Sequence, residues 1–408
     1  MSSWTVTRLG DAAHVVHGWP FKSESFATEG EHLPVVVAIG NFNYSGGFRF
    51  QDSTVKRYTG DFPAEYILNP NDLLLVMTCQ TEGGEILGVP ARVPNDGRVY
   101  LHNQRIGRLI VDRPDVLNSD FMFQLARSAD FNRQLFVTAS GSKILHTSPT
   151  RIEATTVMLP PLREQEAIAE VLGALDDKIA ANTKLAATSA ALATAIFTEA
   201  VRTSSSEFVL SDITTLLSRG ITPKYSEEED TMMVLNQKCV RGQRVDLDPA
   251  RRTLLSKVRE DKLLQPNDVL VNSTGQGTLG RVARWTNSNQ ATVDSHITIV
   301  RFNASRANPV TAGIGLLGLQ DTIVEMGEGS TGQTELSRVE LGKLRLKLPA
   351  LEVQSVLGQR FSSMSEMERV LFEENITLAA TRDTLLPQLM SGKLRVKDAE
   401  TELAKVGV

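Results

Sequence analysis

The sequence predicts an α+β protein with an internal repeat: two related globular domains separated by two long antiparallel coiled-coil helices. Three observations carry this. Leu159–Val201 and Leu348–Met390 each hold apolar residues at coiled-coil spacing. The two stretches share letter strings in the same order. The segments preceding them share strings too, and those segments mix short β-prone runs with turns instead of alternating strand and helix regularly.

The first long helix opens LPPLREQ, and its two prolines end the preceding segment and pre-set the first turn. Its seam is Ile168, Leu172, Leu175, Ile179, Ala186, Ala193 and Ile196. At 1.5 Å per residue such a rod is about 60 Å long. Asn182 falls on the same seam. A buried seam Asn fixes register at some cost in stability; a solvated Asn at a helix edge is the competing reading.

The second long helix repeats Leu357, Met364, Leu371, Leu378 and Leu385 every seven residues. LPPLREQ at 159 reads LPALEVQ at 348, and NTKLAAT at 182 reads NITLAAT at 375. The offset grows from 189 to 193, so four residues enter the second rod between Gln354 and Asn375. Such a stutter leaves the stripe nearly in phase. The two stripes are expected to face each other antiparallel, with a globular domain at each end and a pseudo-twofold axis between them.

The repeat extends into the globular parts. RLGDAAHVVHGWPFKS (8–23) pairs with VLSDITTLLSRGITPKYS (209–226), each expected to be a short amphipathic helix, a glycine and a turn with a lysine. LNPNDLLLVMT (68–78) pairs with LQPNDVLVNST (264–274), each a Pro-Asn-Asp turn before a buried strand. LGVPARV (87–93) pairs with LGRVARW (279–285), and RIGRLIV (105–111) with HITIVRF (296–302). Polar loops, SGSKILHTSPTRI (140–152) and GSTGQTELSRVEL (329–341), precede the rods. The domains are therefore 1–158, a first spacer helix 159–202, 208–347, and a second spacer helix 348–392 with a tail to 408. TSSSE (203–207) is the expected linker, and the tail after Lys393 is expected to fray.

Composition is that of an ordinary globular chain, 41% hydrophobic and 22% charged. No apolar run reaches the length of a membrane span. The start, MSSWTVTRLGDAAHVV, lacks a basic then apolar pattern, so no secretion signal is expected. Cys79 and Cys239 fit no metal or redox spacing, which suits a reducing cytoplasm. The net charge of −5 argues mildly against nucleic acid, but the acid is concentrated on the rods. Residues 1–158 carry 14 Lys and Arg against 16 Asp and Glu, whereas residues 208–347 carry 18 against 16.

No catalytic constellation is legible. Gly275-Gln-Gly277-Thr-Leu-Gly280 fits a dinucleotide fingerprint, but the strand-like RVARW follows it where a helix is required. A glycine-rich turn approaching another molecule fits better. There is no P-loop and no Asn/Asp-Pro-Pro-aromatic loop of an amino-group methyltransferase. His14 and His17 have no carboxylate or metal-ligand pattern around them. A duplicated chain without an active site reads as a recognition or assembly device, and no metal is expected.

LPPLREQEAIAEVLGALDDKI and LLPQLMSGKLRV, in the order domain–rod–domain–rod, resemble the specificity subunit of type I restriction–modification enzymes. The second copy departs from the motif at Ala350 and Val353. The resemblance implies that each globular part is a target recognition domain reading half of a bipartite double-stranded DNA site. It implies rods that set the unread gap and dock two methylation subunits, with restriction subunits joining the full complex. S-adenosylmethionine, ATP and Mg2+ are then expected on those partners and none on this chain, which is not itself an enzyme. An orphan subunit of a methylation-only or other defence complex, or a scaffold that binds no DNA, are the alternatives.

DNA contacts draw on Lys, Arg, Asn, Gln, Ser and Thr. The candidates in the repeated loops are Lys22, Gln80, Thr81, Lys143, Lys224, Ser273, Gln276, Thr278, Arg281 and Gln333, and Asn236 and Gln237 join them after the strand-like MMVL. Each competes with the plain reading of a solvated loop side chain.

Overall fold

The computed structural model describes residues 4–27, 29–48, 50, 55–227, 230–328 and 335–407. Among them the helices are, in chain order, α1 (Ser119–Ala126), α2 (Ala129–Thr138), α3 (Pro149–Glu153), α4 (Leu162–Thr203), α5 (Pro309–Leu317), α6 (Gln320–Glu328), α7 (Arg338–Gly342), α8 (Leu351–Met390) and α9 (Val396–Lys405). The chain divides into two compact units, residues 1–179 with 376–408, and residues 180–375. Each unit holds one globular lobe together with a segment of both long helices.

In the first unit a four-stranded antiparallel sheet runs in the order Ala13–His17, Ile106–Val111, Leu73–Val76, Pro90–Arg92. Leu73–Val76 is apolar throughout because both its faces are covered, and Leu74 and Leu75 are fully buried. Thr5–Arg8 pairs with Thr156–Leu159, closing the lobe just before α4 begins. A five-stranded sheet includes the parallel pair Val35–Val36 and Tyr100–Leu101.

The second unit repeats the plan. Its four-stranded sheet runs Thr214–Arg219, Ile297–Phe302, Val269–Asn272, Val282–Arg284. Ser206–Val209 pairs with Arg345–Leu348 before α8. The other sheet here has three strands, Arg251–Leu254, Thr231–Leu235 and Ala291–Val293, the last two parallel.

The shared strings have physical reasons. In both Pro-Asn-Asp turns the Asn adopts a left-handed backbone, φ 69° at Asn71 and 71° at Asn267. The Asp carboxylates, Asp72 and Asp268, each accept a backbone N–H at 2.8 Å from Asn69 and Gln265. Gly18 and Gly220 allow close backbone approach: a Cβ would stand 2.2 Å from the Asn103 carbonyl oxygen, or 2.0 Å from that of Val293.

Segments 8–23 and 209–226 are not helices. Only the 3-10 turns Leu9–Asp11 and Leu210–Ile213 coil; the rest of the predicted helix is the strands Ala13–His17 and Thr214–Arg219. Ala13 and Val15 are buried and His14 is exposed, a period of two that the helical reading overlooked. The β-branched Val15, Val16, Thr214 and Thr215 fit the pleated slot beside the neighbouring strand. The linker is also shorter than TSSSE, since α4 runs to Thr203 and a strand begins at Ser206. The tail does not fray after Lys393: α9 buries Ala399 and Leu403, four residues apart on one face, in the core of the first unit.

The long helices pack as predicted from their seams, with one drift. In the first unit Ile168, Leu172 and Leu175 of α4 share a core with Leu378 and Leu385 of α8, with Ile179 half-buried at its edge. In the second unit Asn182 and Leu371 are buried, and Ala193 and Ile196 meet Leu357, Phe361 and Met364. Residues 182–196 of α4 thus meet residues 375–357 of α8 in reverse order, which makes these segments antiparallel. Leu357 and Met364 are only half-buried; the fully buried side chain between them is Phe361. That displacement lies within the stretch that carries the four extra residues.

Candidate nucleic-acid interface

In the first lobe, Thr78–Cys79 pairs with Leu145–His146, so the loop after Cys79 and the loop before Leu145 emerge together. Thr78 shares a hydrogen bond of 3.0 Å with His146 Nδ1. This brings exposed Gln80, Thr81 and Lys143 to one edge. The Thr81 hydroxyl donates to Glu85, and that bond holds the Glu85 carboxyl below its usual range. Lys22 is exposed at the mouth of a 3-10 turn, Ser23–Ser25, beside an aromatic group of Phe21, Phe26 and Tyr58.

In the second lobe the corresponding loop is more tightly stitched. Thr274, the counterpart of Thr78, shares a 2.7 Å bond with His296 Nδ1 and bridges to Glu335. The same threonine is therefore tethered to an imidazole in both lobes, from non-equivalent positions. Gln237 donates from Nε2 to the Thr274 carbonyl at 3.0 Å and also meets its hydroxyl. Arg281 donates to the Gly277 carbonyl at 2.7 Å, and the Thr278 hydroxyl to that of Gly275 at 3.3 Å. Gly275, Gly277 and Gly280 all have positive φ, as the tight turn requires. Gln276 projects from this turn and is exposed.

The structure brings Gln237, Ser273, Gln276, Thr278 and Arg281 together. It corrects one of them: Ser273 is fully buried and its hydroxyl bonds Thr298 at 2.5 Å, so it belongs to the scaffold. Asn236 is likewise spent on structure, capping Lys238 N and donating to the Pro249 carbonyl at 2.6 Å. Lys224 is exposed and stands apart on the three-stranded sheet, its N–H donating to Thr253. Gln333 lies outside the described residues.

Sequence reasoning missed the buried glutamine of each LPxLxxQ string. Gln165 Oε1 accepts the Asn118 N–H at 2.9 Å, and its Nε2 donates to the Val116 and Pro160 carbonyls. Gln354 Oε1 accepts the Asn308 N–H at 2.9 Å, and its Nε2 donates to the Pro349 carbonyl. Asn118 and Asn308 are the N-caps of α1 and α5. Each motif thus clamps its long helix onto its lobe. The Leu, Pro, Leu and Gln kept in both strings at the start of two rods were the available signal.

Among the described residues no group of His, Cys, Asp or Glu is placed to hold a metal ion. No described helix is long and apolar enough to cross a membrane. Both cysteines are buried, and burial pushes the Cys239 thiol up to about 11.

One plan built twice, with a polar loop cluster at the same corner of each lobe and a long helix after it, defines an internally duplicated two-lobed protein. Residues 1–188 match the family described as type I restriction modification DNA specificity domain. That match covers the first lobe and the beginning of α4, just under half of the chain. It is 26% identical over 177 residues to the type I restriction enzyme EcoBI specificity subunit of Escherichia coli, a match spanning 42% of this chain and 32% of that relative. Its fold resembles that of the type I restriction–modification S subunit from M. genitalium, with a TM-score of 0.56 at 16% identity over 95% of this chain and 96% of that one. The HsdS subunit of Thermoanaerobacter tengcongensis aligns over 96% and 97% at 16% identity with a TM-score of 0.32.

Proposed function

We propose that this chain is the DNA-reading subunit of a type I restriction–modification enzyme, with each lobe reading one half of a bipartite duplex site. The observation that carries this is the repeated loop corner. Thr78 and Thr274 are tethered alike, but the loops beyond them differ, QTEGGE in one lobe and GQGTLG in the other. A shared scaffold with unlike polar loops suits recognition of two unlike half-sites. Gln80, Thr81, Lys143, Gln276 and Arg281 are the readers we favour, with Lys22, Lys224 and Thr278 as further contacts.

The long helices set the gap between half-sites and dock two methylation subunits, to which restriction subunits add. Support comes from apolar side chains left on the helix surfaces of the second unit, among them Leu185, Leu192, Val356, Val370 and Phe372. S-adenosylmethionine, ATP and Mg2+ belong to those partners. This chain contributes recognition and spacing, performs no catalysis itself, and works in the cytoplasm. The test is modification-sensitive sequencing of a host genome with and without the gene. The expected result is one interrupted, asymmetric methylated motif that vanishes with the gene; an unchanged methylation pattern overturns the reading.

A further inference from the structure

Behind the reading corner of the second lobe lies a cleft of about 470 Å³, lined by residues from three separate stretches: 218–220, 259–262 and 335–339. Its walls carry four cations. Arg219 pairs with Glu335 at 2.7 Å and Arg259 with Asp261 at 3.0 Å. Lys262 is buried, bonded through its ammonium to the Ser218 hydroxyl and 3.7 Å from Asp261. Arg338 forms no ion pair among the described residues. Two carboxylates therefore face four cations.

Burial, and the positive charges of Arg259 and Arg338, push the Lys262 ammonium below its ordinary range. A buried ammonium without a full counter-charge is costly, and an anion in the cleft would offset that cost. The fold itself does not need these groups. At the corresponding positions the first lobe has Val16 for Ser218, His17 for Arg219, Pro63 for Arg259, Tyr66 for Lys262 and Pro149 for Arg338. It closes the same sheet without them.

We propose that Ser218, Arg219, Arg259, Lys262 and Arg338 form a phosphate seat that holds one backbone phosphodiester of duplex DNA, a contact the second lobe makes and the first does not. The inference rests on the DNA-reading function proposed above. A backbone phosphate, and not a free one, is indicated by continuity with the reading corner. The Leu336 N–H donates to the Ser273 carbonyl at 2.9 Å, Arg219 donates to the Leu336 carbonyl at 3.2 Å, and Glu335 bridges to Thr274. The cleft wall and the loop that presents Gln276 are one hydrogen-bonded piece. A phosphate held there anchors the backbone while the loop meets base edges.

The experiment measures duplex binding by the full chain across a salt series, for the wild type, Arg338→Ala and Lys262→Met. Arg338 is exposed, so its variant keeps the fold; thermal melting checks both. Each variant is expected to bind about tenfold more weakly, to all duplexes alike, with a log–log salt slope smaller by about 1. Half-site preference stays unchanged. In a duplex series carrying single neutral methylphosphonates, one position should weaken the wild type and leave Arg338→Ala unaffected. Equal salt slopes and no such position overturn the seat while leaving DNA reading intact. Competition by inorganic phosphate with unaltered DNA affinity in the variants assigns the cleft to a free anion and overturns the backbone contact. A wild type that binds no duplex overturns both proposals.

Discussion

Asn182 and Asn375 occupy the same place in the two copies of the duplicated sequence, and in the second unit they touch each other. Asn182 Nδ2 donates to Asn375 Oδ1 at 3.0 Å and to Glu374 Oε2 at 2.7 Å, in a seam where Asn182 is buried. The competing reading of a solvated edge residue is thereby removed. A polar pair in an apolar seam lowers stability but forbids sliding, because any other register buries amides without partners. Asn182→Ala is expected to cost about 1–3 kcal/mol by removing two hydrogen bonds, one of them to a carboxylate. The double change to Leu at 182 and 375 is expected to raise stability while loosening register. Denaturant titration reads the first effect, and the spread of gap lengths in the methylated sites reads the second. A double-Leu variant with a single gap length and lower stability would show that the pair is no register device.

The clamping glutamines predict a stability loss with a local origin. Gln165 and Gln354 are each 1% exposed, so each amide makes its bonds inside the protein and not to water. Gln165→Leu strands the Asn118 N–H and leaves the Val116 and Pro160 carbonyls short of a donor. At about 1–3 kcal/mol per stranded group, a loss of roughly 3 kcal/mol or more is expected. Gln354→Leu strands two groups and should cost less. Chemical denaturation of both variants gives the comparison. Wild-type midpoints in either would mean that water or a rearranged side chain takes over the amide's bonds.

The repeat, the seams and the buried central strands were legible because each is a matter of period and identity within a short window. Leu73–Val76 and the Val269, Leu270 and Val271 that match it are apolar runs directly after Pro-Asn-Asp turns, which marks them as buried strands. Ala13–His17 was misread because two apolar periods overlap in so short a run, and the partner Ile106–Val111 that decides between them is distant in sequence. The tail was misread because α9 is short and its apolar face counts only once a core exists to receive it. The candidate readers were legible by residue type alone. Which of them a fold spends on itself, as it spends Ser273 on Thr298 and Asn236 on Pro249, depends on neighbours far along the chain. The cleft of Arg219, Lys262 and Arg338 was invisible for the same reason.

His102 should give the first lobe a pH dependence that the second lacks. The ring is 2% exposed, and burial pushes its pKa down to about 4; Arg108 and His17 push the same way, while Asp72 opposes them and Nε2 bonds the Ile106 carbonyl at 2.8 Å. In the unfolded chain the value returns to about 6.5. Above 6.5 the ring is neutral in both states and its full contribution is present. As pH falls from 6.5 towards 4, the unfolded chain takes up a proton that the folded lobe refuses, so stability declines. The slope is at most about 1.4 kcal/mol per pH unit, a loss of up to ~3 kcal/mol across the window. Val293 stands at the corresponding position of the second lobe, fully buried, so His102→Val is a substitution this fold already tolerates. At neutral pH it should cost about 1 kcal/mol for the lost bond to Ile106. Between 6.5 and 4 the variant should lose less stability than the wild type and overtake it, and the difference between the two curves removes the pH dependence that the two proteins share. Parallel curves through that window would mean that the folded lobe protonates His102 as readily as the unfolded chain does.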